Sequence, residues 1–193
     1  MLFRSRTYCI MVKFSRQPAE PTKSAKTRVA DLRAHFKNTY ETARACKGLK
    51  LLKAIRYMEN VLEHKQIVPF KKFVRHAGRH AQTKEFKTSG SIGRWPEKSV
   101  KAVLELLKNL HSNSEARGLN VEKCVITHCV VQRAVASRRR TYRAHGRISP
   151  FQGKNCHVEF HVTEKSGPVK KADKPTLKMT KKQAARQRLA IGK

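Results

Sequence analysis

The sequence predicts an α+β fold that carries a strongly basic surface. Three stretches have the apolar spacing of amphipathic helices, at residues 38–47, 49–64 and 96–118. Two later segments, 124–133 and 156–163, are rich in β-branched residues or alternate between apolar and polar side chains, as half-buried strands do. The third observation is charge, because 44 Lys and Arg against 13 Asp and Glu give a net charge of +31 over 193 residues.

This charge excludes several classes of protein. A small domain ordinarily carries a net charge of roughly 2–8, and self-repulsion opposes compaction unless a polyanion neutralises it. The composition therefore disfavours a free-standing metabolic enzyme, a secreted disulfide scaffold and a membrane protein, and it favours a nucleic-acid partner. No stretch approaches the roughly 20 apolar residues that cross a bilayer. The five cysteines lack paired spacing and are typical of reduced thiols in a cytosolic or nuclear protein.

The first part of the chain predicts one strand and two helices. Residues 1–27 show no packing pattern and are assigned to an N-terminal extension, and a strand with imperfect alternation is expected over 28–36. Asn38 is placed to cap the first helix, and Glu41 three residues later completes the spacing of a capping box. The second helix, over 49–64, should bury a stripe at helical spacing, made of Leu51, Ile55, Met58 and Leu62.

Residues 66–95 break the helical pattern. This insert holds seven Lys or Arg against one acid, Glu85, and aromatic residues are interleaved with the bases. An irregular insert of this length in a compact domain is usually functional or disordered. Two interpretations stay open: Phe70 and Phe73 pack as a satellite hydrophobic cluster, or the basic side chains face a phosphate backbone. The basic candidates are Lys71, Lys72, Arg75 and Arg79.

The third helix and the two later strands have clear signals. Pro96 suits the first position of a helix and Gly118 suits its end. The helix should bury Val100, Val103, Leu104, Leu107 and Leu110. The last strand should place Cys156, Val158, Phe160 and Val162 on one face and His157, Glu159, His161 and Thr163 on the other.

The connector between these strands is the most informative segment. No Asp or Glu occurs from Lys123 through Val158. Arginine offers a planar fork of donors to phosphate oxygens, Tyr142 and His145 add surfaces that stack on unpaired RNA bases, and Gly146 permits a tight bend. The alternative is a solvated basic loop. The basic side chains of the connector are Arg133, Arg138, Arg139, Arg140, Arg143, Arg147 and Lys154.

The sequence gives little support for a metal site or a catalytic site. Cys124 and His128 would share a face of a strand, but Cys129 would point away, and the Cys-x2-Cys spacing of structural zinc sites is absent. The carboxylates are scattered, whereas metal-dependent phosphodiester chemistry needs several of them around its ions. We expect no metal, no cofactor and no enzymatic activity.

The chain ends in a basic tail. From Glu164 to Lys193 there are ten Lys or Arg and two acids. Such a segment alone in water should be disordered, although Thr180 could cap a short helix through about Ala190. Residues 166–193 are assigned to this C-terminal tail.

Four runs of residues together resemble one family. They are Arg94-Trp95-Pro96, Gly118-Leu119-Asn120-Val121, the run RRRTYRAHGRI from Arg138 to Ile148, and Cys156-His157-Val158-Glu159. In this order they are similar to the universal large-subunit ribosomal protein twenty-two family, known in eukaryotes as protein seventeen. The resemblance covers about residues 12–165.

The resemblance implies a fold in which three helices pack on a three-stranded antiparallel sheet. A globular domain over 28–165 would extend its last two strands, about residues 122–163, into a long basic β-hairpin that runs through ribosomal RNA. The hairpin tip would line the exit tunnel of the nascent polypeptide. By position, the tip would fall at Val135, Ala136, Ser137, Arg138, Arg139 and Arg140. Val135 and Ser137 depart from the family, which commonly has Pro and Met there.

The expected function is that of a structural constituent of the large ribosomal subunit. Its partners would be ribosomal RNA, neighbouring ribosomal proteins and the nascent polypeptide, with no membrane and no second copy of the chain, in cytosolic ribosomes after transient nucleolar assembly. The expected RNA-binding residues are Arg133, Arg138, Arg139, Arg140, Tyr142, Arg143, His145, Arg147 and Lys154, with Lys71, Lys72, Arg75, Arg79, Arg94 and Trp95.

Two other classes of function stay open. One is an RNA-binding or chaperone protein that acts outside the ribosome. The other is an RNA-processing enzyme, which would require carboxylates such as Asp31, Glu41 and Glu59 to converge on a metal ion.

Overall fold

The computed structural model describes residues 14–86, 90–165 and 180–191. The part of the tail at 166–179 and 192–193, and residues 1–13 of the N-terminal extension, lie outside these ranges. The strands within them are β1 (Ser24–Leu32), β2 (Val68–Pro69), β3 (Gly93–Arg94), β4 (Cys124–Arg133), β5 (Ser137–Tyr142), β6 (Ile148–Gly153) and β7 (Cys156–Glu164). The helices are α1 (Phe36–Cys46), α2 (Leu51–Leu62), α3 (Glu97–Ala116) and α4 (Lys181–Ile191).

The centre of the fold is a three-stranded antiparallel sheet. Its order is β1-β7-β4, so the last strand of the domain lies between the other two. Helix α1 packs on β4, α3 packs on β1, and α2 packs on α3. The core between helices and sheet contains fully buried side chains such as Met58, Leu107 and Phe160. The α+β fold with three helices on an antiparallel sheet is thereby confirmed.

The alternation predicted for β7 is confirmed, and both of its faces are covered. Val158 and Phe160 are in the hydrophobic core, while Glu159 and His161 on the opposite face are each only 1% exposed. The backbone N–H and the hydroxyl of Ser15 donate to the Glu159 carboxylate at 2.9 and 2.6 Å. The Phe14 ring meets the His161 ring edge-on, with 5.7 Å between centroids. Phe14 and Ser15 therefore pack on the sheet, although the composition of residues 1–27 predicted no packed structure.

The predicted first strand, 28–36, is wrong at both ends. Strand β1 begins at Ser24, which pairs with Thr163 of β7, and it ends at Leu32. Four residues, 24–27, thus lie in the sheet rather than in an unstructured extension. Helix α1 already begins at Phe36. Pairing with β7 sets the limits of β1. The imperfect alternation over 28–36 gives no indication of which residues pair with a strand so far away in the sequence.

Two helices bury slightly different stripes from those predicted. On α2, Leu51 and Met58 are fully buried as expected, but Ile55 and Leu62 are only half-buried. On α3, Leu104 is half-buried and Leu106 takes its place in the core. The α2 residues that sequence reasoning missed are Ala54, Tyr57 and Val61. These two helices contact each other as well as the sheet, which widens and rotates the buried face of each.

The ends of α3 and the start of α4 follow the sequence signals closely. Pro96 directly precedes α3, and Gly118 ends it with a left-handed φ of 67°. Thr180 and Gln183 form a reciprocal capping box: the Gln183 N–H donates to the Thr180 hydroxyl, and the Thr180 N–H donates to the Gln183 side chain. None of the helices in the described ranges is long and apolar enough to cross a membrane.

Candidate nucleic-acid interface

The acid-free connector folds as a β-hairpin that prolongs the sheet. Beyond Arg133, the Ala134 N–H donates to the Asn155 carbonyl at 3.1 Å, and β5 then pairs with β6 from Ser137 opposite Gly153 to Tyr142 opposite Ile148. A basic β-hairpin is therefore present, and it lies within the predicted range of about 122–163. The base of the hairpin lies at residues 134–136, which belong to no strand and separate β4 of the three-stranded sheet from β5.

The turn of the hairpin lies at Arg143–Arg147, and the predicted tip at Val135–Arg140 is wrong. The Arg143 N–H donates to the Arg147 carbonyl at 2.7 Å, which closes the turn. His145 and Gly146 have left-handed φ values of 60° and 68°, so the bend expected at Gly146 is confirmed. Val135 lies at the hairpin base, and Arg138, Arg139 and Arg140 lie along β5. The register of β5 with β6 decides the position of the reversal, and the position along the chain did not reveal it.

Both faces of the hairpin are exposed. Arg139 lies opposite Phe151, with its guanidinium 4.9 Å from the ring centroid, while Arg138 and Arg140 occupy the other face. Tyr142 is 76% exposed and Phe151 is 54% exposed. A two-stranded hairpin without a hydrophobic face is marginally stable in water at best. This arrangement fits a segment that becomes fully stable against a partner surface.

A buried carboxylate holds the basic part of the insert. Glu41 is only 2% exposed, and its oxygens accept the backbone N–H groups of Lys71, Lys72 and Phe73 at 3.2, 2.8 and 2.9 Å. The predicted capping box of Asn38 and Glu41 is therefore wrong, because α1 starts after His35 without a side-chain cap. An anion that binds three consecutive N–H groups fixes the backbone of the two lysines.

Phe70 and Phe73 both pack, as one interpretation of the insert predicted. Phe70 is in the core, and the Phe73 ring meets Phe36 and Tyr40 edge-on at 6.0 and 5.5 Å between centroids. The ammonium of Lys72 lies 5.3 Å from the Tyr40 ring centroid. The second interpretation is compatible with this packing, because the predicted basic set is exposed: Lys71, Lys72, Arg75 and Arg79.

Arg94 and Trp95 have structural contacts. The Arg94 guanidinium donates to the His76 carbonyl. The Trp95 ring lies between His64 and His80, at 5.3 and 4.8 Å between centroids, and its indole N–H is buried without a hydrogen-bond partner in the described part of the chain. Arg94 thus braces the insert internally and Trp95 joins the insert to the residues after α2, so their expected role in RNA binding has weaker support than that of the exposed bases.

Three cations lie beside the aromatic cluster, of which Arg133 was predicted to bind RNA and Lys37 and Arg44 were not. Lys37 lies 5.6 Å from the Phe73 ring centroid, and Arg44 lies 5.7 Å from that of Tyr40. Arg133, at the hairpin base, lies 5.1 Å from the ring centroid of Phe36. The spacing of Phe36 and Tyr40 on one helical face, flanked by bases, was a signal for this cluster. Arg133 thus joins the basic surface of the insert to that of the hairpin.

Candidate groups for other chemistry are separated or buried. Within residues 14–86, 90–165 and 180–191, no cluster of His, Cys, Asp and Glu could hold a metal ion, so Asp31, Glu41 and Glu59 do not converge. His128 and His161 form a ring pair at 4.8 Å, and burial lowers the pKa of both imidazoles. The four cysteines of the described ranges are free, and burial raises the thiol pKa of each: Cys46, Cys124, Cys129 and Cys156.

The chain is similar to known proteins over most of its length. Large ribosomal subunit protein uL22 of Suberites domuncula is 48% identical over 182 residues, which cover 93% of this chain and 95% of that protein. The protein of the same name from Zea mays is 51% identical over 161 residues, 83% of this chain and 94% of its own. That of Caenorhabditis elegans is 48% identical over 184 residues, 94% and 97% of the two chains. The family model described as ribosomal protein L22p/L17e matches residues 27–163. The chain that carries this basic hairpin and insert therefore belongs to the ribosomal protein L22p/L17e family.

Proposed function

We propose that this protein is a structural, non-enzymatic constituent of the large ribosomal subunit and that its hairpin binds ribosomal RNA. The observation that carries the proposal is the hairpin itself. It is exposed on both faces, it lacks any carboxylate from Lys123 to Val158, and it presents arginines beside exposed aromatic rings. Arginine forks bind phosphates, and aromatic and guanidinium planes stack on unpaired bases.

The RNA-binding side chains divide into two sets. The hairpin set provides the main contacts, with Tyr142 and His145 stacking or hydrogen-bonding: Arg133, Arg138, Arg139, Arg140, Tyr142, Arg143, His145, Arg147 and Lys154. The insert provides a second, weaker set that Glu41 keeps in place: Lys71, Lys72, Arg75 and Arg79. Both sets are exposed, and Arg133 at the hairpin base lies against Phe36, which packs on Phe73 of the insert.

We also propose that the hairpin turn lines the exit tunnel of the nascent polypeptide. The support is the resemblance to the ribosomal family, together with the position of Arg143–Arg147 at the end of the ladder farthest from the sheet. On this proposal the residues next to the nascent chain are those of the turn and not those of the hairpin base.

The proposed partners and location follow from the family. The partners are large-subunit RNA, neighbouring ribosomal proteins and the nascent polypeptide, and the protein acts as one copy per subunit without a membrane. It resides largely in the cytoplasm on ribosomes, after transient assembly in the nucleolus.

Sedimentation tests the ribosomal assignment first. Tagged full-length protein from a eukaryotic lysate should comigrate with the large subunit on a sucrose gradient, and this comigration should survive high salt because buried contacts as well as charge hold an integral component. Protein that stays at the top, or that moderate salt strips from the subunit, would instead support an RNA chaperone outside the ribosome.

A charge-removing variant tests the hairpin. Replacing Arg138, Arg139 and Arg140 with Gln should reduce the salt dependence of RNA binding, lowering the slope of log K against log salt by about 1 per residue removed. A control that loses three exposed bases on other elements, Lys53, Arg56 and Lys101, should change the slope much less. Equal losses in the two variants would contradict the assignment of the hairpin as the main contact.

Cross-linking tests the tunnel proposal. A photo-reactive amino acid at His145 should cross-link to a stalled nascent chain in translating ribosomes, whereas the same group at Val135 should not. Cross-links from Val135 alone would place the hairpin base rather than the turn beside the nascent chain.

A further inference from the structure

A basic cleft lies where the hairpin leaves the globular domain. It has a volume of about 460 Å³, and the segments that line it come from four separate parts of the chain: the residues after β1, the first turn of α3, the start of β5 and the residues after β6. Pockets of roughly 300–1,000 Å³ accept small molecules, so there is room for a nucleotide's phosphate and sugar. Its charged and titratable lining consists of Arg33, His35, Lys98, Arg139 and Lys154.

The charge of this lining has one sign. Four of the side chains are Lys or Arg, and no carboxylate lines the cleft. Asp31 and Glu97 are near in sequence, but neither is among the lining residues. Within the described residues 14–86, 90–165 and 180–191, none of the four cations forms an ion pair with a carboxylate. Four like charges around one concave space repel one another, and an anion in the cleft would relieve that repulsion.

The walls of the cleft are held in place by backbone contacts. The Phe36 N–H donates to the Lys154 carbonyl at 3.1 Å, which ties the start of α1 to the hairpin base. The Ala134 N–H donates to the Asn155 carbonyl at 3.1 Å, and the Asn155 amide donates to the Val135 carbonyl at 3.4 Å. Gly153 lies so close to Ser137 that an added Cβ would collide with its hydroxyl. The cations are therefore arranged around a formed base and not around a free loop.

The pKa of His35 is sensitive to the positive potential of this cleft. Burial lowers the pKa of its imidazole, and the charges of Lys154 and Lys37 lower it further. The imidazole lies between the cleft and a second basic surface depression that includes Lys37, Lys72 and Arg75. The cleft thus shares His35 with the basic depression beside the insert.

We propose that this hairpin-base cleft, formed by Arg33, Lys98, Arg139 and Lys154, binds a phosphodiester of the RNA backbone. Two of these cations belong to the globular domain and two to the hairpin or its base, so one bound phosphate bridges the two parts and fixes the direction in which the hairpin projects. The inference rests on the proposed RNA-binding function and extends it to Arg33 and Lys98, which lie far from the basic connector in sequence.

The first test compares two matched variants in the full-length chain. Arg33→Gln with Lys98→Gln removes one arginine and one lysine from the cleft, and Lys53→Gln with Arg56→Gln removes the same types from the exposed side of α2. Filter binding to protein-free large-subunit RNA should show that the cleft variant lowers the slope of log K against log salt by about 1, because one phosphate contact is lost. The control variant should lower it by much less.

Each outcome of this test is decisive. Equal losses in the two variants, or an unchanged slope in the cleft variant, would overturn the cleft while leaving RNA binding intact. A wild-type chain that does not bind the RNA at all would instead overturn the proposed function. A short polyglutamate peptide should fail to compete, and competition as strong as that of a short single-stranded RNA of equal charge would mean that the cleft prefers acidic protein.

The second test needs no variant for its main readout. In NMR titrations of the full-length chain, a saturating short single-stranded RNA should raise the pKa of His35, because a phosphate beside it offsets the charge of Lys154. The same RNA should leave this pKa unchanged in the variant that lacks Arg33 and Lys98. A pKa of His35 that does not rise in the wild-type chain would contradict phosphate binding in the cleft.

Discussion

The carboxylate of Glu41 accepts the backbone N–H of Phe73 at 2.9 Å, across 32 residues of sequence. The same carboxylate binds the N–H groups of the two preceding lysines, and water has almost no access to it. One buried anion on α1 thus determines the path of the insert and holds its exposed bases beside the aromatic cluster.

Replacing this carboxylate should destabilise the protein. Glu41→Gln removes the charge and turns an N–H₂ group toward backbone donors, so the free energy of unfolding should fall by about 2–4 kcal/mol. Denaturant unfolding of the full-length chain measures this loss. Glu59→Gln is the matched control on the exposed side of α2, and it should stay within about 0.5 kcal/mol of the wild type. Similar stabilities for the two variants would show that Glu41 does not hold the insert.

The hairpin turn should depend on Gly146. Its φ of 68° lies in the left-handed region, and a Cβ there would meet no atom within 4 Å, so the cost of Gly146→Ala is one of backbone conformation alone. We expect a local cost of about 1–2 kcal/mol. The Arg143 N–H, which donates to the Arg147 carbonyl, should exchange with solvent about 5–30 times faster in the variant than in the wild type. Global unfolding should change little, because the hairpin contributes no core.

An exposed hairpin residue outside the turn provides the control for this experiment. Gln152→Ala should leave the exchange of the Arg143 N–H as it is in the wild type. Unaltered exchange in Gly146→Ala would mean that the turn tolerates a side chain at this position and that its geometry differs from the left-handed pair described here.

The covered face of the sheet should make stability depend on pH. Burial lowers the pKa of His128 and His161 below the ordinary 6.5, and the neighbouring Arg16 lowers both further. An unfolded histidine then binds protons that the folded one does not. Stability is therefore complete above about pH 6.5 and is lost as the pH falls through the lowered folded values.

Two variants test the origin of this dependence. His161→Phe removes one titrating ring, and Phe14→Ala uncovers that ring from the N-terminal side. In both, the loss of unfolding free energy between neutral and mildly acidic pH should be smaller than in the wild type. The other charged groups that face the pair, Glu159, Lys26 and Lys47, are present in all three proteins. A pH dependence that is identical in all three would contradict the assignment.

The buried cysteines should resist alkylation. Burial raises the pKa of Cys129 to about 12 and that of Cys46 well above its ordinary value, so neither forms the reactive thiolate near neutral pH. Iodoacetamide followed by mass spectrometry should label both slowly in the native chain and rapidly in denaturant. Equally rapid labelling before and after denaturation would show that α1 and β4 do not enclose these thiols.

The local elements of this protein were readable from its sequence. Helix α3, with its flanking Pro96 and Gly118, and strands β4 and β7 lie within two residues of their predicted limits. The capping pair of Thr180 and Gln183 is equally local. These features depend on residues close in sequence, where periodicity and end signals act directly.

Long-range pairings were not readable in the same way. Helix α1 starts after His35 and not at Asn38. The hydrogen-bond partners of Glu41, and the packing of Phe14 and Ser15 on the sheet, also join residues whose spacing in the sequence forms no local pattern. The sequence indicated the hairpin region only as a connector that lacks acids and is rich in arginine. The position of its turn depended on which residue of β5 pairs with which residue of β6.

The sequence by itself determined the α+β class, the three main helices, the amphipathic last strand and the basic, acid-free segment that requires a polyanionic partner. Only the tertiary structure decided that the turn lies at Arg143–Arg147, that Glu41 serves the insert, and that Arg33 and Lys98 meet Arg139 and Lys154 in one cleft. The physical reason is that composition and periodicity act over a few neighbouring residues, whereas strand register and side-chain convergence are set by the packing of segments far apart in the chain.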